Sequence, residues 1–134
     1  MPRLLLVAGL LAAGGCGPAG RATVTGTVRY SDGSPVTSGE VLLYPADDPA
    51  APSPVGHIQP DGSFALFTDR PGDGAPVGRY TVTVAPLGDE YNARNPRPID
   101  PKYADPATSG LTYEVKPGTN TLDLTVTRPG QKAR

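Results

Sequence analysis

Glycine and proline break this chain at short intervals, and where they fall limits its fold more than any other feature. There are 17 of each in 134 residues, well above ordinary usage. Most lie between runs of Val, Leu, Tyr and Thr, not inside them. Proline removes a backbone donor and fixes φ, while glycine weakens helices and strands from within. Set between runs, both residues punctuate short strands joined by turns.

The runs themselves alternate. Val24, Val28 and Tyr30 share one face of a first strand over 22–30, and Thr23, Thr25, Thr27 and Arg29 share the other, which is the period of a half-buried strand. Gly26 falls on the apolar face, where it marks a bulge or lets a neighbour approach closely. A second strand, Gly39 to Tyr44, is apolar on both faces at its centre, as expected near the middle of a sheet. Val55 to Gln59 and Phe64 to Phe67 flank Asp61-Gly62, the strongest local hairpin signal. Tyr80 to Val84, Leu111 to Val115 and Thr121 to Val126 complete seven strands. Thr68 to Pro76 reads as a flexible loop, and Leu87 to Gly110 is the longest irregular stretch. Seven short strands with no helical stripe predict an all-β sandwich, with a barrel as the structural alternative. No unit recurs, which excludes a repeat protein.

The first residues read as an export signal: one basic side chain at Arg3, an apolar run from Leu4 to Ala13, then Gly14 and Gly15 ahead of Cys16. The run is too short for a stable membrane span, which needs about 20 residues. Leu11 to Cys16 resembles the lipobox of bacterial lipoproteins, departing from it at Ala13, where that pattern prefers Leu. The resemblance implies cleavage after Gly15, a diacylglycerol on the Cys16 thiol and an acyl chain such as palmitate on the new amino terminus. A plain secretory signal leaving a free cysteine is the alternative. The expected organisation is a signal peptide over 1–15, lipidated Cys16 with a short tether over 16–21, one domain over 22–127 and a polar tail over 128–134. The protein is then exported and held by lipid at a membrane of the bacterial cell envelope, on the periplasmic or the surface side.

Composition removes several function classes. The net charge is −1, from 12 basic and 13 acidic side chains, with no block of like charge. A nucleic-acid partner is not expected, because no basic stripe is present to neutralise phosphates. Cys16 is the sole cysteine, so no disulfide forms within the chain. His57 is the sole histidine, and none of the serines lies in a nucleophile-elbow motif. No catalytic residue is assigned, and the chain is not expected to be an enzyme. One histidine and a lipid-bearing cysteine do not make a zinc site. Asp47, Asp48, Asp69 and Asp73 are the carboxylates to weigh for calcium, but no calcium-loop spacing accompanies them. No cofactor or metal is expected.

Val24-Thr25-Gly26-Thr27-Val28, then Gly33-x-Pro35-Val36 and Gly39-x-Val41, resemble the opening of the carboxypeptidase regulatory-like domain. Asp61-Gly62-Ser63-Phe64 and Pro76-x-Gly78-x-Tyr80-x-Val82-x-Val84 are similar to its middle. Lys102 to Asp105, Thr108 to Leu111 and Val115-x-Pro117-Gly118 extend the likeness, which spans roughly residues 22 to 127. The whole set resembles the small lipoproteins of this kind in planctomycete-type bacteria. The resemblance implies a seven-stranded Greek-key sandwich of the transthyretin-like, or prealbumin-like, fold and no assigned activity. That fold also includes hydroxyisourate hydrolases, which use several histidines and a C-terminal Tyr-Arg-Gly-Ser. This chain has neither.

What remains is binding. A loop as long as 89–108 is either functional or covers a sheet edge. Tyr91, Arg94, Arg97 and Tyr103 are its candidate contact residues, since Tyr and Arg offer large surfaces with polar tips. The expected role is that of an accessory lipoprotein contacting other envelope proteins. The alternative is a small-ligand or glycan-binding module built on this loop. Equally, Ile99, Tyr103 and Leu111 are placed to pin the loop to the sandwich.

Overall fold

The alternating runs form strands that bury one face, and the faces meet between two sheets. The structure is a computed structural model and describes residues 20–88, 91–94 and 96–131. The expected export signal, Cys16 and most of the expected tether lie outside the described residues, as do Asp89, Glu90, Asn95 and residues 132–134. The strands are β1 (Arg21–Tyr30), β2 (Glu40–Pro45), β3 (Val55–His57), β4 (Ser63–Ala65), β5 (Ala75–Pro76), β6 (Gly78–Ala85), β7 (Leu111–Val115) and β8 (Thr119–Val126), with a 3₁₀ turn at Pro101–Ala104. In one sheet β4 and β5 pair antiparallel with β1, and β8 pairs with it in parallel. In the other the order is β3-β2-β6-β7, antiparallel throughout. The architecture is all-β, two sheets in a sandwich-like arrangement.

The core follows the alternation. Val24, Val28 and Tyr30 of β1 face Val41 and Leu43 of β2 and Val82 and Val84 of β6 across one buried cluster, to which β8 adds Leu122, Leu124 and Val126. Gly26 sits among them because nothing larger fits. A Cβ there would lie 1.7 Å from the Leu122 carbonyl oxygen and 3.0 Å from the Phe64 ring. The close approach expected of this glycine is therefore real. Buried tyrosines find partners for their hydroxyls. Tyr30 donates to the Pro98 carbonyl at 3.1 Å and Tyr80 to the Pro76 carbonyl at 2.7 Å.

Two local expectations are corrected. The hairpin around Asp61-Gly62 closes at its turn, where Gln59 N–H donates to the Ser63 carbonyl, and again at its mouth, where Val55 and Phe67 exchange bonds. Between these points it opens, because β3 hydrogen-bonds to β2 and β4 to β1, in different sheets. The Phe64 and Leu66 side chains lie close over Gly56 in the gap. The hairpin is thus a corner joining the two sheets.

Residues 68–76, expected to be a flexible loop, carry an eighth strand and are organised by one carboxylate. Asp73 accepts the backbone N–H groups of Thr68, Asp69 and Arg70 and the Arg21 guanidinium at 2.7 Å. Those backbone donors, Thr68 first, and the nearby Arg21 charge hold its carboxyl at about 2, below the usual range. The short β5 then docks on Arg21 and Ala22.

The first residue of the polar tail makes contacts with the sandwich. Arg128 donates to Asp32 at 3.0 Å and stacks its guanidinium 3.8 Å from the centre of the Tyr30 ring. The link from β7 to β8 carries the chain from one sheet to the other. Asn120 braces that crossing. Its side-chain oxygen accepts from Lys116 N–H at 2.9 Å, and its amide nitrogen donates to the carbonyls of Lys116 and Thr23.

Candidate functional site

The segment from 87 to 110 divides into a pinned half and an outer bow. Ile99 is completely buried and Tyr103 is 5% exposed. Asp100 N–H donates to the Thr127 carbonyl, and the Asp100 side chain caps the 3₁₀ turn by accepting from Lys102 N–H at 3.0 Å. The Tyr103 hydroxyl meets that of Thr127 at 3.3 Å, and the Lys102 ammonium lies 5.0 Å from the ring centre. Tyr103 therefore takes the pinning role open to it in the sequence and offers little contact surface. The bow holds the other candidates. Tyr91 donates its hydroxyl to the Leu87 carbonyl at 2.7 Å, and Arg97 places its guanidinium 5.3 Å from the Tyr91 ring centre. Arg94 is exposed, with its backbone N–H held by the Asn92 side chain. Tyr91 and Arg97 are thus brought together, with Arg94 beside them along the chain.

The titratable side chains weighed for chemistry have other partners. His57 Nδ1 lies 3.5 Å from a Glu40 carboxylate oxygen, and its ring is 5.7 Å from that of Phe67. The Ser63 hydroxyl is given to Asp61. Arg79 grips both oxygens of Asp47, and Asp48 accepts the N–H of Ala50. Asp69 and Asp73 share Arg21. Among the described residues no three His, Cys, Asp or Glu side chains gather as a metal site would require.

A second surface went unnoticed in the sequence. The outward face of β4-β1-β8 forms the floor of a concavity of about 740 Å³. The register sets Thr25 opposite both Thr121 and Ala65, and Thr27 opposite both Asp123 and Ser63. The walls rise from His57 and Phe67 on one side and from Pro71 and Gly72 of the Asp73-held loop. The outward threonines of β1 look like an ordinary solvated face when taken alone. Only the parallel pairing with a strand almost a hundred residues later makes a two-dimensional array of them. The matching Thr-x-Thr pattern in the first and last strands was the available signal.

With fold and surfaces defined, the class is that of a two-sheet, all-β domain. No family model matches the chain, and no curated protein matches it. Among solved structures, the chain is similar to a DUF3823 family protein from Bacteroides ovatus, with a TM-score of 0.51 and 23% identity over 81% of this chain. The match covers 46% of that protein, so the chain spans about half its length. At such identity the likeness concerns the fold alone.

Proposed function

We propose that the chain is an exported, lipid-anchored accessory protein of the bacterial envelope, of the carboxypeptidase regulatory-like kind. In this reading its sandwich is the seven-stranded transthyretin-like Greek key with the short β5 added. It does no chemistry of its own and contacts envelope proteins through the bow at 91–97. One observation carries the reading: the chain enters the domain at the opposite pole from the bow. Arg21 begins β1 beside β5, with Gly20 accepting from Val77 and Thr23 donating to Gly118. The ten residues of β1 then run about 30 Å to Tyr30, whose hydroxyl reaches Pro98 next to the bow. A tether from Cys16 to Gly20 reaches at most about 17 Å. Such an anchor holds the entry pole against the lipid and turns the bow outward.

The test is photocrosslinking in cells with the full chain. A crosslinker at position 94 is expected to capture a discrete envelope protein, and one at position 70 to capture lipid. Cys16→Ser should release the protein from membranes and abolish the lipid adduct. A chain that stays membrane-bound after Cys16→Ser, or that captures nothing from position 94, overturns the proposal.

A further inference from the structure

We infer that the concavity over β4, β1 and β8 is a binding site for a neutral saccharide. The floor dictates the mode of recognition. β1 is paired along both edges, through Ala65 and Thr121 at Thr25, so its backbone groups are already taken. A ligand lying on this face meets side-chain tips and not a free strand edge, which disfavours an extended peptide. Those tips are mainly hydroxyls. Each one both donates and accepts, matching the two-way hydrogen bonding of sugar hydroxyls. Thr25 and Thr121 have no hydrogen-bond partner for their hydroxyls among the described residues. Thr27 donates to one Asp123 oxygen at 3.0 Å, which fixes the carboxylate as an acceptor. Strand pairing sets these tips about 5 Å apart across the sheet and about 7 Å apart along it.

The wall supplies what a sugar needs on its other side. Phe67 offers an apolar ring to the C–H face of a pyranose, tilted 42° against His57. Its backbone is fixed by the paired bonds with Val55, and the facing loop is held by Asp73, so little ordering is needed on binding. Charge narrows the ligand further. No Lys or Arg lines the concavity, while Asp123 does, which disfavours phosphates and acidic sugars. The volume lies within the range of small-ligand sites, about 300–1,000 Å³.

This inference does not depend on the anchor or on the bow. Its test uses the full acylated chain in a detergent without sugar headgroups, with glucose, mannose and N-acetylglucosamine oligomers as probes in saturation-transfer and chemical-shift NMR. At least one neutral oligomer should bind saturably and shift the signals of Thr25, Thr121 and Phe67. Phe67→Ala should weaken it at least tenfold, and Thr121→Val, an exposed and nearly isosteric change, about threefold or more. Arg94→Ala and Cys16→Ser should leave it unchanged. The inference is overturned if no neutral oligomer binds, if Thr121→Val in a folded protein leaves binding intact, or if an anionic oligomer is preferred.

Discussion

The stretches at 68–76 and 87–110 are both rich in proline and glycine, yet they are held in opposite ways. The first is organised from its own interior by Asp73, which collects three successive backbone N–H groups and the Arg21 guanidinium. The second is held from outside, by pushing Ile99 and Tyr103 into the core. A carboxylate anchor is short-ranged and depends on charge, so it orders only the residues that wrap it. An apolar anchor is indifferent to charge and fixes one point, leaving the bow at 91–97 to be shaped by Tyr91 and Arg97. The same difference separates the Asp73-held wall of the concavity from the bow, which is shaped by its own exposed side chains.

The apolar anchor gives the largest effect. Ile99→Ala empties a completely buried site and should cost about 2–5 kcal/mol, read as a lower denaturant midpoint with loss of exchange protection at Asp100 and Tyr103. If the midpoint holds while the loop still detaches, the loop is a separate unit with no share in the core.

Next comes the carboxylate anchor, where the effect is local and depends on pH. The folded-state pKa of Asp73 is about 2, below the unfolded value of about 3.9. A depressed carboxyl contributes stability that is present above about pH 4 and lost as the pH falls towards 2. Exchange protection in β5 should fade over that window, whereas the contacts of Ile99 should not respond. Asp73→Asn should flatten the change at β5. Asp32, also at about 2 because of the Ser34 hydroxyl and N–H and the Arg128 guanidinium, adds to the global acid response, so the readout must be residue by residue. An equal loss of protection in both loops would erase the distinction.

Tyr103→Phe isolates the polar part of the apolar anchor. It removes one hydrogen bond, to Thr127, and keeps the ring, so the expected loss is about 1 kcal/mol with no detachment of the loop. A loss as large as that of Ile99→Ala would make the hydroxyl, and not the ring, the pin.

These two modes were unequally legible in the sequence. Ile99 and Tyr103 stand out as apolar residues in a polar stretch, and Gly26 stands out on an apolar face. All three positions follow from burial, which acts residue by residue. Asp73 gave no such sign, because a carboxylate that gathers backbone N–H groups has the composition of any turn. The splitting of the β3–β4 hairpin was hidden for a related reason. Its turn chemistry is local, but which sheet each arm joins is decided by β1 and β2. The threonine floor was the least visible, since it exists only through the register of β1 with β8.

The smallest effect tests whether the bow is surface or scaffold. Arg97 lies over the Tyr91 ring at 5.3 Å, and a half-exposed pair of this kind contributes about 0.5–1 kcal/mol. That contribution shapes the bow without reaching the core, because the nearest buried anchor, Ile99, makes its contacts independently. Arg97→Ala should therefore leave the denaturant midpoint nearly unchanged, broaden the Tyr91 ring signals and reduce crosslinking from position 94. A midpoint shift approaching that of Ile99→Ala would mean that Arg97 holds the segment to the sandwich. The bow would then be structural along its whole length, and the contact surface would have to be sought over the threonine floor.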